Sequence, residues 1–153
     1  MPFVLDNSVV TGWYLPDQAT SYCQTIATRL ESDKALVPSL WQHELANVLK
    51  TACTRGTLSL DTAREILDTL STLPIEVDAN PGPGQRQLFE LAMRYKLSSY
   101  DAAYLELAMR HGLPIATQDA QLKDAAVAAG VAVLRQISDL SPTNMKIAVA
   151  GLG

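Results

Sequence analysis

The chain has 153 residues, 48% of them hydrophobic and 18% charged, the balance of a soluble globular domain and not of a disordered chain. Its formal net charge of −4 argues against a dedicated DNA-binding module with a broad basic field. It leaves room for an RNA enzyme whose metal-holding carboxylates make it acidic.

Cys23 and Cys53 lack CxxC or zinc-ligand spacing, and His43 and His111 form no cluster with them. A reduced, cytoplasmic setting is therefore expected. No charged segment followed by an apolar stretch opens the chain, and no run of about 18 apolar residues could span a bilayer. Neither a signal peptide nor membrane association is expected, and the apolar tail from Met145 to Gly153 is too short for a span.

Taken in order, Pro2-Phe3-Val4-Leu5 reads as a buried central strand of a parallel sheet, closed by Asp6. Asn7 and Ser8 are turn and cap types that lead into a short helix over Val9 to Leu15, ended by Pro16. A second helix is expected from about Asp17 to Glu31, with Tyr22, Ile26 and Leu30 on one face. Ala35-Leu36-Val37 is a second strand. Pro38-Ser39 then opens a helix to about Thr54, stopped by Gly56. Another helix follows over Leu60 to Leu73, and Pro74 to Val77 reads as a third strand.

Asn80 to Gly84 is the most loop-like segment. Beyond it, helices are expected at Gln85–Tyr95 and Tyr100–Arg110, a strand at Leu113–Thr117, a helix at Ala120–Ala129 and a last strand at Val131–Leu134. Strands alternating with helices imply a mostly parallel sheet of four to five strands covered on both faces, a three-layer α/β/α domain. One domain over residues 1–153 is expected, with the tail from about 141 peripheral.

The acids carry the chemistry. Asp6 and Asp119 each stand immediately beyond an apolar strand, at the edge where ligands bind in open α/β sheets. Each could equally be a helix N-cap. Asp101 stands at the start of a helix beside the small Ala102 and Ala103, where its carboxylate can project into the cleft. Its spacing from Ser98 also fits a capping box. Glu44 lies about 40° from Val48 on a helical wheel, at the border of the face formed by Trp41, Leu45, Val48, Leu49 and Ala52. A solvent-facing glutamate is the plainer alternative.

Four acids from four distant segments converge, on this reading, in one site of hard oxygen ligands suited to Mg²⁺ or Mn²⁺. Such an ion can generate a nucleophile from water and stabilise charge on a phosphoryl oxygen. No GxSxG, Cys–His pair or Gly-rich phosphate loop offers another nucleophile or nucleotide site.

The segments DNSVV, ELANVL, SSYDAAYLELA and IATQDAQL followed by AAGV give the chain its resemblance. It resembles the PIN-domain ribonucleases of the VapC kind, the toxins of bacterial and archaeal toxin–antitoxin pairs, over nearly its whole length. The resemblance implies Asp6, Glu44, Asp101 and Asp119 as catalytic and metal-binding acids, and Ser8 and Thr117 as hydroxyls supporting the first and last of them. Asn7 belongs beside these supporting residues.

The resemblance further implies metal-dependent cleavage of an RNA substrate, a cognate antitoxin that covers the site, and frequently a homodimer. Lys50, Arg55, Arg94, Lys96, Arg110 and Lys123 are the candidates for phosphate contact. A dehalogenase-like phosphatase would need an acid at Ser8, and a phosphoacceptor receiver would need an acid pair near the first strand. The remaining alternative is a catalytically silent PIN-like module that binds protein or RNA.

Overall fold

The structure is a computed structural model describing residues 1–80 and 82–135; the tail from about 141 falls outside the described residues. Its centre is a parallel four-stranded sheet of β1 (Phe3–Leu5), β2 (Ala35–Val37), β3 (Ile75–Val77) and β4 (Ile115–Ala116), in the order β3-β2-β1-β4. Every residue of β1, β2 and β4 is buried, as expected of strands sandwiched between helices.

Among the described residues, seven α-helices connect and cover the sheet: α1 (Asn7–Tyr14), α2 (Ser21–Arg29), α3 (Leu40–Thr54), α4 (Leu60–Thr72), α5 (Gln85–Tyr95), α6 (Ser99–His111) and α7 (Ala120–Ala128). Helix α1 packs against α2 and α3, while α6 packs on β1 between α5 and α7. Right-handed crossovers account for the division. The chain moves outward from β1 through β2 to β3, then returns across the sheet to β4, so α5 and α6 lie on the face opposite α1 to α4. The strand order therefore reverses between β1 and β4, and the crevice at such a reversal is where α/β sheets place their ligands.

Three expectations are corrected. The helix expected over 17–31 is a single 3-10 turn at Pro16–Gln18 followed by α2 proper. The Thr20 hydroxyl accepts the Cys23 backbone N–H at 3.3 Å and starts the helix there. Helix α1 begins at Asn7, directly after Asp6, not at Val9. The last strand, expected over Val131–Leu134, is one parallel bridge between Val133 and Ile115, held by Ile115 N–H to Ala132 C=O and Leu134 N–H to Ile115 C=O, both 2.9 Å.

Candidate active site

Asp6 ends β1 while its backbone N–H still reaches across to Ala116 of β4 at 3.0 Å. It stands at the N-cap of α1, yet its side chain makes no capping hydrogen bond. The carboxylate turns instead toward β4. Its Oδ2 accepts the Ser8 hydroxyl at 2.6 Å and the Thr117 hydroxyl at 2.8 Å. Both hydroxyls are themselves held: the Gln118 backbone N–H donates to Ser8 Oγ at 2.9 Å, and the Asp119 N–H to Thr117 Oγ1 at 3.0 Å. The ends of β1 and β4 are thus joined by a relay through Asp6, Ser8 and Thr117.

Asp119 does cap its helix: Oδ1 accepts the Leu122 N–H at 2.9 Å. Asp101 lies in the first turn of α6, where its N–H donates to Ser98 Oγ at 3.1 Å. The return bond of a full capping box, from the Ser98 N–H to the Asp101 carboxylate, is not made among the described residues. Ala102 and Ala103 beside it are buried and let the helix end approach the sheet. Glu44 sits half-buried on α3, and its Oε1 accepts the Tyr104 hydroxyl at 2.6 Å.

Asp6, Glu44 and Asp101 are each raised, and the charges of the other three acids all act on Asp101. Asp101 is pushed up to about 6, by burial first and then by the charges of Asp6, Asp119 and Glu44, with the Ser98 hydroxyl opposing. Burial likewise raises Asp6, against the stabilising Ser8 and Thr117 hydroxyls and with a further push from Asp119. Glu44 is raised by burial and by the Asp6 charge, with Tyr104 opposing. These acids are contributed by the end of β1, by α3, by α6 and by the end of β4. Among the described residues, no three acidic, imidazole or thiol side chains are grouped tightly enough to grip an ion directly.

A model of the PIN domain family matches residues 3–128. The chain belongs to the PIN domain family. Ribonuclease VapC3 of Pyrobaculum aerophilum is 28% identical to this PIN chain over 128 residues, 81% of this chain and 94% of that protein. Among solved structures, PAE2754 of the same organism superposes with a TM-score of 0.64 at 18% identity, covering 98% of this chain and 96% of its own. VapBC2 of Rickettsia felis, bound to a DNA fragment from their promoter, gives 0.61 at 13% identity, covering 89% and 99%. FitAcB of Neisseria gonorrhoeae gives 0.58 at 18%, covering 88% and 97%.

Within this PIN fold the remaining expected residues fall differently. Asn7 is buried with its Oδ1 lacking a hydrogen-bond partner among the described residues. Arg110 is held by Glu106 at 2.8 Å and Asp78 at 2.7 Å, so its guanidinium is committed to the protein. Arg94 lies over the Tyr95 ring and Lys123 over the Tyr22 ring, while Lys50, Arg55 and Lys96 are exposed.

Sequence reasoning missed Tyr104 and Gln118. Tyr104 lies three residues after Asp101, on the same side of α6, a spacing that could have flagged it. Gln118 lies between two flagged positions. No helix among the described residues is long and apolar enough to cross a membrane.

Proposed function

We propose that this protein is a metal-dependent endoribonuclease that cleaves RNA phosphodiester bonds at the four-acid site, and that it is the toxin of a toxin–antitoxin pair. The observation that supports this is that the charges of Asp6, Glu44 and Asp119 all raise Asp101, with Asp6 and Asp119 following the two strands between which the strand order reverses. The ribonuclease named among the relatives supports the reaction class, and the VapBC2 structure supports an antitoxin partner.

The donor set fits Mg²⁺ or Mn²⁺. Every candidate ligand is a hard oxygen, and Mg²⁺ keeps several waters while taking one or two carboxylates. A looser group of acids suits such an ion better than a tight cage does. Asn7, next in the chain to Asp6, carries a buried Oδ1 that has no hydrogen-bond partner among the described residues. Asp6 and Asp101 would hold the ion, with Glu44 and Asp119 completing the site. When bound, the ion supplies Lewis-acid stabilisation of a phosphoryl oxygen and activates water. The chain's own residues do the positioning. Ser8 and Thr117 fix one oxygen of Asp6, Leu122 N–H fixes one oxygen of Asp119, and Tyr104 fixes one oxygen of Glu44.

Cleavage of a single-stranded RNA by the purified protein is expected to stop in EDTA and to return with Mn²⁺. Activity that persists after exhaustive chelation contradicts the metal assignment. An antitoxin would close the same site, most simply by placing an arginine fork against the carboxylates.

We propose the α5–α6 surface as the place where two copies would pair. Helix α5 has no buried residue, Phe89 is 58% and Met93 65% exposed one turn apart on it, and Tyr100 of α6 is 61% exposed. These exposed apolar side chains are the candidate association surface. The double substitution Phe89→Glu, Met93→Lys is expected to give a monomer by light scattering while leaving the melting temperature of the protomer nearly unchanged. A dimer that survives both changes moves the interface elsewhere.

A further inference from the structure

We propose that Gln118 is a positioning residue of the site, a side-chain strap that holds the ends of β1 and β4 in register; this rests on the ribonuclease reading above. The residue stands between Thr117 and Asp119, and its side chain turns away from the acids. Its Nε2 donates to the Ser8 carbonyl at 2.9 Å and to the Gln18 carbonyl at 3.1 Å, and its Oε1 accepts the Thr20 hydroxyl at 2.7 Å. With its backbone N–H on Ser8 Oγ, one residue grips the Ser8 unit at two atoms. It also ties that unit to the 3-10 turn and to the N-cap of α2. Thr11 reinforces the strap, its hydroxyl lying 3.1 Å from the Ser8 carbonyl and 2.7 Å from Gln18 Oε1.

The surroundings are shaped to admit this amide. Gly12 of α1 faces it: a Cβ there would collide with Cys23 Sγ and come within 2.9 Å of Gln118 Nε2. The glycine is required by that close approach, since its backbone is ordinary helix. Ser8 orients Asp6, so a displacement of Ser8 passes directly to Asp6 Oδ2. Partners that orient a metal ligand typically change activity or affinity by about 10–100-fold when removed.

The test uses Gln118→Ala and Gln118→Glu, with Ser59→Ala as a comparator. Ser59 caps α4 through the Thr62 N–H and takes no part in the site. The glutamate keeps the shape and the acceptor but replaces the Nε2 donor with an oxygen facing two carbonyls, so it is expected not to rescue the alanine. Steady-state cleavage of an RNA oligonucleotide with Mn²⁺ is expected to show kcat reduced by roughly tenfold in both Gln118 variants, with KM unchanged. The rise in melting temperature on adding Mn²⁺ is expected to shrink in both.

Ser59→Ala is expected to lower the melting temperature while keeping the wild-type kcat and Mn²⁺ response. Wild-type kcat and Mn²⁺ response in either Gln118 variant, or recovery of the alanine loss by glutamate, overturns the proposal and leaves the ribonuclease reading standing. A wild-type protein that neither cleaves nor responds to Mn²⁺ overturns both.

Discussion

Asp101→Asn is expected to abolish RNA cleavage, by on the order of a hundredfold or more, since even groups that only orient a metal ligand cost about 10–100-fold. Without divalent cation, the variant is expected to be at least as stable as the wild type at neutral pH. The cap of α6 survives the change, because Ser98 Oγ accepts the backbone N–H of residue 101 and not its side chain. What the change removes is a half-buried charge facing Asp6, Asp119 and Glu44.

The pH dependence follows in sign. Asp101 is raised in the folded protein from 3.8 to about 6, so the folded state binds its proton more tightly than the unfolded chain does. Its contribution to stability is fully present below the unfolded value and is lost as pH rises through about 6. Asp6 and Glu44 are shifted in the same direction. In EDTA, the wild-type melting temperature is therefore expected to fall from acid to neutral pH, and that of Asp101→Asn to fall less steeply. An active, clearly destabilised Asp101→Asn protein would return Asp101 to a purely structural place at the helix start.

The parts of this site that depend on local pattern were legible in the sequence. Phe3-Val4-Leu5 followed by Asp6 reads as a buried strand ending in an acid, and the structure has that strand with all three residues fully buried. The wheel position of Glu44, at the border of the Trp41–Leu45–Leu49 face, matches its half-buried setting. The parts that depend on contacts distant in sequence were not legible. Glu44 meets Tyr104 across 60 positions, and Gln118 meets Thr20 across 98, and neither pairing leaves a local period.

Helix α2 is shorter than its apolar spacing suggests for a related reason. Its start is set by the Thr20 cap, whose hydroxyl also reaches Gln118, while the apolar spacing alone could not say where the periodic face began. Whether Asp6 and Asp119 act as caps was equally open at the level of sequence. The structure separates them: Asp119 caps α7 through a backbone N–H, whereas the Asp6 carboxylate makes no backbone cap and accepts the Ser8 and Thr117 hydroxyls.

The central claim is that Asp6, Glu44, Asp101 and Asp119 form a single cation site. Thermal melts with and without Mn²⁺, run on the wild type and on Asp6→Asn, Glu44→Gln, Asp101→Asn and Asp119→Asn, test it most directly. An ion that binds the folded state and hardly binds the unfolded chain stabilises by mass action. At about 100 times its dissociation constant, that amounts to roughly 2.7 kcal/mol, or about 5–10 °C for a chain of this size. The account predicts a rise of that order in the wild type and a markedly smaller one in each of the four variants. A wild type whose melting temperature ignores Mn²⁺, or four variants that respond as fully as the wild type, would contradict it.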